Sequence, residues 1–497
     1  MRLENVIIPN LESDPEINLY WQDGVWHKRR DLLKLVNNCE ESLKRAGFSK
    51  GQRLVVMLRN SPLIPALSLA VWKLGGIFCP LNEKFGSSLA GTLELIKPFA
   101  VISEHEIKGI NWPCFTCDLN AEKLPEISGT TQPPESEEYA VIFSTSGTTG
   151  LPKAVPLTHD NLYSNCIATR ERVESLSSQD TFLNVLPNFH SFGYTVTIIL
   201  PLVLNAKLAI APSFLPPAVT IRAITEAKID VMFVVPAIMS FLLMSVEKGK
   251  MPPEPLSRIR IICTGGDKLN PNVHKQSLNL LGRDITEGYG LTETSPVICM
   301  NQDCVHQKIG SIGPVINGYH YKLKTKEGKD TPDDEGVLWV KGPSVTPGYL
   351  HAPEITAERF DSDGYFNTGD YVRIDSEGFV YILDRVTDII IVGGFNVYPQ
   401  EVEKVLADHP AVRQAVVVGM PHDINGQIPK AYILLEDGAD DSSEQKRDII
   451  KFAKERLAHF KTPRAIEFVS EFPLSGSGKI LRRVLRDMAA KEKEKEH

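Results

Sequence analysis

Residues 144–153 (Ser-Thr-Ser-Gly-Thr-Thr-Gly-Leu-Pro-Lys) have the composition of a loop that wraps a phosphate. Glycines let backbone N–H groups approach an anion closely, hydroxyls add donors, and the terminal lysine adds a cation. The spacing is not that of a Walker P-loop, and a flexible connector is the alternative interpretation. As a phosphate loop, its candidate residues are Thr145, Ser146, Gly147, Thr148, Thr149, Gly150 and Lys153.

A second cluster, residues 287–294 (Glu-Gly-Tyr-Gly-Leu-Thr-Glu-Thr), combines an aromatic ring with a carboxylate in one short segment. Tyr289 offers a flat face on which a base can stack. Glu293 offers the hard oxygens that Mg²⁺ takes together with substrate phosphates. Taken alone, the segment has a surface loop that carries incidental acids as its alternative interpretation.

Two further clusters lie towards the C-terminal end. Asp370, in Phe-Asn-Thr-Gly-Asp, can accept both hydroxyls of a ribose, and Arg385 adds a fork of donors suited to the same nucleotide. Lys479 ends the run Pro-Leu-Ser-Gly-Ser-Gly-Lys, from which it can reach a cleft and neutralise charge on a phosphoryl group. Alone, the first two would be an ordinary surface pair and the third a solvated turn.

The elements that must position these residues alternate between strand-like and helix-like segments over the first four-fifths of the chain. This alternation predicts an α/β fold with a largely parallel sheet. Gly265, Gly266 and Asp267 follow the last of the strand candidates, at the strand end where open α/β sheets bind ligands. The strand candidates are residues 139–143, 207–211, 230–235 and 260–263.

The C-terminal portion reads as a small α+β unit. Strand candidates at 415–419, 430–435 and 465–469 surround a helix that carries Ile449, Ala453 and Leu457 on one face. A capping box of Ser442 and Gln445 is predicted at the start of this helix. We therefore predict an N-terminal domain over residues 1–384, a hinge over 385–390 and a C-terminal domain over 391–497.

Together, and in this order, the four clusters resemble those of the adenylate-forming superfamily of acyl-CoA synthetases, peptide-synthetase adenylation domains and luciferases. The resemblance covers residues 20–490. It implies a large N-terminal domain of several subdomains with mostly parallel sheets, followed by a small mobile α+β domain. It also implies an enzyme that activates a carboxylic acid with ATP as acyl-AMP and passes the acyl group to a thiol.

The resemblance also implies roles on the nucleotide side of the site. The loop at 145–153 would wrap the β- and γ-phosphates, and Tyr289 would stack on adenine. Thr292 would contact the α-phosphate, and Glu293 would bind Mg²⁺. The remaining implied nucleotide contacts are Gly266 and Asp267 at the adenine edge, Gly290 beside Tyr289, and Asp370 and Arg385 on the ribose.

Further roles implied by the resemblance concern the moving domain. Lys479 would bridge the substrate carboxylate and the α-phosphate as pyrophosphate leaves. Asp388 would be the pivot about which the small domain swings, and Gly393 and Gly394 would then line a channel for the thiol. Two departures from the common pattern, Ala154 in place of Gly and Leu383-Asp384 before Arg385, leave the geometry of the phosphate loop open.

Residues 186–194 (Leu-Pro-Asn-Phe-His-Ser-Phe-Gly-Tyr) look like the acyl-site segment of fatty-acid-activating members. Phe189, His190, Phe192 and Tyr194 would border the acyl pocket, although aromatics on an apolar segment are as often core. Gly265 is also predicted to line the channel for the acyl group and CoA. His190 is a catalytic candidate, together with Lys479, Thr292 and Glu293. Because this region lacks an acid that would recognise an amino group, we favour a medium- or long-chain fatty acid over an amino acid.

The acceptor predicted from the resemblance is free CoA, which makes the chain a fatty acid:CoA ligase with ATP, Mg²⁺ and CoA as its small-molecule requirements. A fatty-acyl-AMP or acyl-carrier-protein ligase, served by a separate carrier protein, is the near alternative. A nucleotide-binding protein without catalysis is an alternative of another class. A luciferase-like oxidative second step is a third, which nothing in the sequence recommends.

The bulk composition excludes several other classes. A net charge of −8 gives no reason to expect nucleic acid or an anionic membrane as a partner. Cys114 and Cys117 form a Cys-x-x-Cys pair without a second pair, so reduced thiols in a cytoplasmic protein are expected. Apolar stretches at 62–81 and 231–246 are interrupted or too short to span a membrane. The oligomeric state stays open.

Overall fold

The computed structural model describes residues 1–82, 89–130, 138–146, 152–303, 306–474 and 480–495, without the side chains of Ser146, Pro152, Pro271 and residues 493–495. The chain divides into two compact units. The second unit includes segments that precede residue 384. The domain boundary at residue 384 and the hinge over 385–390 therefore stay predictions. The first unit comprises Met1–Tyr321, Val340–Phe366 and Ser376–Val380, and the second Lys322–Trp339, Asn367–Asp375 and Tyr381–His497.

Several helices are amphipathic. The second helix, for example, buries Leu32, Leu35, Val36, Cys39 and Leu43, which recur every three or four residues along one face. The α-helices are α1 (Glu4–Glu12), α2 (Arg29–Arg45), α3 (Leu63–Lys73), α4 (Leu89–Ile96), α5 (His159–Arg172), α6 (Ser191–Tyr194), α7 (Leu200–Val203), α8 (Pro217–Glu226), α9 (Pro236–Glu247), α10 (Glu254–Ser257), α11 (Pro271–Leu281), α12 (Pro353–Arg359), α13 (Pro399–Ala407), α14 (Ser443–Lys454) and α15 (Arg482–Lys495).

A π-helical turn (Thr195–Ile199) and a 3₁₀ turn (Thr292–Thr294) complete the helical segments of the described residues. The strands are β1 (Asn18–Gln22), β2 (Val25–Lys28), β3 (Arg53–Met57), β4 (Ile77–Pro80), β5 (Ala100–Ser103), β6 (Cys114–Thr116), β7 (Tyr139–Ser146), β8 (Pro152–Thr158), β9 (Thr181–Asn184), β10 (Lys207–Ile210), β11 (Val231–Val234), β12 (Ile261–Thr264), β13 (Thr286–Gly290), β14 (Val297–Met300), β15 (His320–Lys324), β16 (Glu335–Lys341), β17 (Phe366–Ile374), β18 (Val380–Arg385), β19 (Ile390–Val392), β20 (Phe395–Val397), β21 (Val412–His422), β22 (Gly426–Leu435) and β23 (Ala465–Phe468).

The first unit contains two mostly parallel sheets, with strand orders β14-β13-β12-β11-β9-β10-β1-β2 and β6-β5-β3-β4-β7-β8. Antiparallel pairing is confined to the edge strands β14, β2 and β8. Strands such as β3, β5 and β11 are buried at every position, the pattern of parallel strands covered on both faces. The predicted parallel α/β fold of the N-terminal region is confirmed.

The second unit contains a sheet of order β20-β19-β22-β21, in which β23 pairs in parallel with β22. Most of another sheet, β15-β16-β17-β18, also belongs to it. Helix α14 buries Ile449 and Ala453 as predicted, and Ser442 Oγ accepts a hydrogen bond from the Gln445 N–H at 3.2 Å. Leu457 was wrongly placed on this helix: it lies beyond the last residue, Lys454, although it still packs on the same core.

The four strand predictions in the first unit coincide with β7, β10, β11 and β12, and the three in the second with β21, β22 and β23. Their boundaries differ from the predicted ones by a few residues, because the ends depend on which neighbouring strand supplies partners. No helix among the described residues is both long and apolar enough to cross a membrane.

Candidate active site

The hairpin β7–β8 forms the stem of the predicted phosphate loop. Thr145 pairs with Lys153 in its antiparallel register, so the two ends of the loop are held side by side. Gly147, Thr148, Thr149 and Gly150 lie outside the described residues, as does the side chain of Ser146. Ala154 is buried among apolar side chains, and its carbonyl accepts the Leu350 N–H at 3.0 Å, so the methyl group at this position packs as core.

Glu293, the predicted Mg²⁺ ligand, is held at both its side chain and its backbone. The Tyr349 hydroxyl donates to its Oε1 at 2.7 Å, and the Thr346 N–H donates to its carbonyl at 2.8 Å. Burial, and then the adjacent Glu293 carboxylate, raise the pKa of Tyr349 above its ordinary value. The hydroxyl is therefore a persistent donor, and it fixes the direction of the carboxylate.

Lys153 lies beside the ring of the same tyrosine. Its Nζ is 5.2 Å from the centre of the Tyr349 ring, within cation–π range. Burial, and then the charge of Arg359, lower the pKa of Lys153, while Glu293 and Glu358 act in the opposite direction. A cation and a carboxylate thus meet at one aromatic side chain at the base of the predicted phosphate loop.

The Glu293 carboxylate is a ligand of the kind that Mg²⁺ takes when the ion is also bound by the phosphates of a nucleotide. The described residues contain no group of three or more His, Cys, Asp or Glu side chains able to hold a metal by themselves. Mg²⁺ commonly takes one or two protein carboxylates and completes its shell with phosphate oxygens and water. Glu293 is the residue that would hold it here.

The predicted adenine region is built by close backbone approach. A Cβ atom on Gly290 would lie 1.8 Å from the carbonyl oxygen of Pro296, and one on Gly265 would lie 3.1 Å from that of Gly288. Gly266 has φ +82°, in the left-handed region that favours glycine. The loop after β12 and the strand β13 that carries Tyr289 therefore touch along their backbones.

Asp267, at the predicted adenine edge, is exposed, and its Oδ1 accepts the Lys268 N–H at 2.8 Å. It therefore lies on the same loop as Gly265 and Gly266, with its carboxylate towards solvent and the following backbone.

The predicted acyl segment contacts the predicted phosphate residues. Ser191 Oγ and Thr292 Oγ1 lie 3.1 Å apart, and the Phe192 ring is 3.3 Å from where a Cβ on Gly265 would lie. His190 caps the short helix α6, its Nδ1 accepting the Phe192 N–H at 3.3 Å. Phe189, like His190 and Phe192, is half-buried. The structure thus brings Thr292, Phe192 and Gly265 into one region.

Tyr194, the fourth residue predicted at this border, packs in the core. It is fully buried, its hydroxyl donates to Ser68 Oγ at 2.8 Å, and its ring stacks on Phe78. Tyr194 thus takes the core position that the sequence left open as the alternative, and its place at the acyl pocket stays a prediction.

In the second unit, Asp370 and Arg385, the predicted ribose residues, form an ion pair. Arg385 Nε donates to Asp370 Oδ1 at 2.7 Å, and the Asp370 carboxylate is buried while the guanidinium is half-exposed. The Asp370 N–H is held by Thr368 Oγ1 at 3.1 Å. The buried acid therefore has a fixed backbone and a cation beside it.

The predicted hinge turn is held by the C-terminal helix. Arg486 on α15 donates to the Thr387 carbonyl at 2.6 Å and to Asp388 Oδ1 at 3.0 Å. Asp384, a departure from the common pattern, is buried and accepts the N–H groups of Gln400 at 3.0 Å and of Arg385 at 2.9 Å. Burial raises the pKa of Asp384 to about 7.

Gly393 and Gly394, the predicted thiol-channel residues, form the turn between β19 and β20. Their φ angles of +56° and +90° lie in the left-handed region, which explains the glycine pair. The Gly393 N–H donates to the Asn425 carbonyl at 2.9 Å. Lys479, the predicted adenylation lysine, lies outside the described residues.

Comparisons with known proteins decide the family. A family model described as AMP-binding enzyme matches residues 11–350, and one described as AMP-binding enzyme C-terminal domain matches residues 401–479. The chain belongs to the AMP-binding enzyme family. The prediction of an enzyme of the adenylate-forming superfamily is thereby confirmed, while the role of each individual residue stays a prediction.

Relatives extend over nearly the whole chain. A long-chain-fatty-acid–CoA ligase of Bacillus subtilis is 36% identical, covering 97% of this chain and 94% of its own length. A 2-succinylbenzoate–CoA ligase of Bacillus cytotoxicus is 32% identical, with 92% of each chain covered. The solved structure of ATP-bound MatB from Rhodopseudomonas palustris is similar with a TM-score of 0.86 at 27% identity, covering 98% of this chain and 99% of that chain.

Two groups of this AMP-binding enzyme were missed by the sequence analysis. Tyr349 carries no motif of its own, and only its buried hydroxyl, which needs a partner, marks it. The second group is an amide cluster, Asn60, Asn184 and Asn188: Asn60 Nδ2 and Asn188 Nδ2 donate to Asn184 Oδ1 at 2.8 and 3.1 Å, and the Asn188 N–H donates to Asn60 Oδ1 at 3.0 Å. It fixes the turn before His190.

Proposed function

We propose that this protein activates a medium- or long-chain fatty acid with ATP as acyl-AMP and then transfers the acyl group to CoA. The observation that carries the proposal is the hydroxyl contact between Ser191 and Thr292. It places an apolar, aromatic segment beside the residue predicted to contact the α-phosphate. An acid with an apolar tail can lie along that segment and present its carboxylate to the phosphate.

In the first step, a carboxylate oxygen attacks the α-phosphorus in line, an O–P bond forms, and the bond to pyrophosphate breaks. Two anions must approach each other, so the site acts mainly by positioning them and offsetting their repulsion. Lys153 and Lys479 supply positive charge, and Thr292 supplies a hydroxyl donor at the α-phosphate. Mg²⁺, held by Glu293 and the phosphates, would neutralise charge on the leaving pyrophosphate.

In the second step, the thiol of CoA attacks the acyl carbonyl, a thioester forms and AMP leaves. Asp370 and Arg385 would hold the ribose of the adenylate through both steps. A pivot at Asp388 would remove Lys479 and bring the Gly393–Gly394 turn to the thiol, so that one cleft serves two reactions. An acyl carrier protein in place of CoA remains the alternative acceptor.

An aromatic acid is a second candidate substrate, favoured by the relative named for 2-succinylbenzoate. The acyl segment supports the fatty acid better, because Leu186, Phe189 and Phe192 are apolar and residues 186–194 contain no lysine or arginine that could pair with a second carboxylate. The higher identity to the long-chain-fatty-acid–CoA ligase supports the same choice.

The test is pyrophosphate release with ATP and Mg²⁺ across medium- and long-chain fatty acids, ferulate and 2-succinylbenzoate, with and without CoA. We expect release that needs a fatty acid and turns over only when CoA is present. Turnover with an aromatic acid alone would show that the substrate is aromatic and not a fatty acid. Pyrophosphate release limited to about one equivalent despite CoA would favour a carrier protein as the acceptor. No release with any acid would leave a nucleotide-binding protein without catalysis.

A further inference from the structure

A buried histidine lies between two carboxylates behind the predicted adenine region. His274 on α11 is 5% exposed. Its Nδ1 is 2.5 Å from Asp284 Oδ1, and its Nε2 is 3.3 Å from Glu287 Oε1. We call these three residues the histidine cluster. Both ring nitrogens can donate only when the imidazole is protonated, because a neutral ring has a single N–H.

The histidine cluster joins the two sides of the predicted adenine region. Helix α11, which carries His274, is capped by Asn270 and so begins shortly after the Gly265–Gly266 loop. Glu287 lies in β13, two residues before Tyr289, and its carbonyl accepts the Asn301 N–H at 3.0 Å. The His274–Glu287 contact therefore connects α11, which follows the Gly265–Gly266 loop, to β13, which carries Tyr289.

The charges around the ring favour the protonated form. Burial alone would lower the pKa of His274, but Glu287 and Asp284 outweigh it and raise the pKa above its ordinary value. Arg283, in the turn after α11, is directed to the Ile259 carbonyl. Helices α9 and α10 pack against α11. The charged residues Glu247 at the end of α9, Lys248 just after it and Glu254 on α10 are exposed, and Glu247 accepts a hydrogen bond from Gln276.

We propose that His274 is a positioning residue of the ATP site: bound to both carboxylates, it holds β13 and Tyr289 in place, so that ATP binds more weakly as the pH rises. The inference rests on the proposed function, because it takes Tyr289 as the adenine contact. When the His274 ring becomes neutral, one of its nitrogens presents a lone pair to a carboxylate, and that hydrogen bond is lost. The longer contact, to Glu287, is then the one expected to open.

The experiment measures ATP binding by calorimetry, without any acid substrate, from about pH 7 to about pH 9, and compares wild type, His274→Gln and Glu287→Gln. We expect wild-type affinity to fall about tenfold over this range, since a buried hydrogen bond to a charged group contributes on this scale. His274→Gln should bind about tenfold more weakly at the lower pH and show no pH dependence. Glu287→Gln should also lose the pH dependence while keeping most of the affinity.

His306→Gln is the matched control, because His306 is 67% exposed and pairs with Asp303 outside the candidate site. It should bind ATP as the wild type does at every pH. Wild-type affinity in His274→Gln across the range would overturn the inference, as would a lower melting temperature with an unchanged pH profile, which marks a purely structural histidine. Failure of the wild type itself to bind ATP would instead defeat the proposed function.

Discussion

The candidate residues of the two units are held in different ways. In the first unit, close backbone contacts and hydrogen bonds of the buried residues Tyr349 and Ser191 fix the positions, as at Gly290, Glu293 and Thr292. In the second unit, partly exposed ion pairs accompany the backbone hydrogen bonds, as between Arg385 and Asp370 and between Arg486 and Asp388. Buried hydrogen bonds cost about 1–3 kcal/mol to leave unmade, whereas partly exposed ion pairs contribute about 0–1 kcal/mol.

The difference suits the two predicted tasks. A region that must present fixed donors to a nucleotide gains from contacts that are costly to break. A region predicted to change its conformation between two half-reactions gains from contacts that exchange with water at little cost. The comparison therefore predicts that conservative changes are more damaging in the first unit, with Lys479 as the exception because it would touch the reacting atoms.

Lys479→Ala should produce the largest effect. We expect adenylation to fall by about two to three orders of magnitude, the scale for removing one group that stabilises developing charge. Conversion of supplied acyl-AMP to the thioester should be largely kept. Pyrophosphate release and thioester formation are measured separately, and an equal fall in both would contradict a separation of the two steps.

Gly290→Ala should be the most damaging change to the fold of the site. Its added methyl would lie 1.8 Å from the Pro296 carbonyl oxygen, a backbone atom, so the strand must move. We expect a loss of more than about 3 kcal/mol in the free energy of unfolding, together with lost ATP binding. Gly91→Ala is the control, since a Cβ there meets nothing within 4 Å, and denaturant unfolding of both variants is the measurement. Equal stability would refute the packing argument.

Tyr349→Phe should lower kcat/KM by about tenfold, because it removes the one hydroxyl that donates to Glu293 Oε1 in the described structure while keeping the ring beside Lys153. The apparent affinity for Mg²⁺ should fall in parallel, which a purely structural tyrosine would not produce. Tyr321→Phe, at an exposed position, is the control. Unchanged Mg²⁺ dependence in Tyr349→Phe would show that the hydroxyl does not position the carboxylate.

Arg385→Lys should have the smallest effect, a two- to fivefold rise in KM for ATP, roughly what a half-exposed ion pair contributes, with kcat nearly unchanged. Arg413→Lys changes an exposed pair of the same unit and serves as the control. If Arg385→Lys reduced activity more than Tyr349→Phe, the proposed contrast between the two units would be wrong.

The sequence pattern predicted the helices and strands better than it predicted which side chains contact each other. The apolar runs of β11 and β12 and the periodicity of Ile449 and Ala453 are local signals, and the structure confirms them. The core position of Tyr194 could not be chosen over a pocket position from the sequence, because an aromatic on an apolar segment carries no mark of which face it takes. Partners such as Tyr349 for Glu293 are far apart in the chain, so no local pattern could pair them.

The candidate site shows the same division. Asp370 and Arg385 were grouped from their motifs and are indeed hydrogen-bonded. The histidine cluster and the amide cluster escaped notice, since single His and Asn residues are common on helices and turns and acquire meaning only when tertiary contacts bring them together. Local motifs thus identify the residues that would face the ligand, and the structure adds those that hold them.

The most direct test of the account is to identify the products of one reaction by mass spectrometry, first with ATP, Mg²⁺ and a long-chain fatty acid and then after addition of CoA. The account predicts about one equivalent of acyl-AMP per protein with matching pyrophosphate, converted to acyl-CoA and AMP when CoA is added. Formation of ADP and phosphate in place of AMP and pyrophosphate would contradict it, because ATP would then be cleaved at another bond.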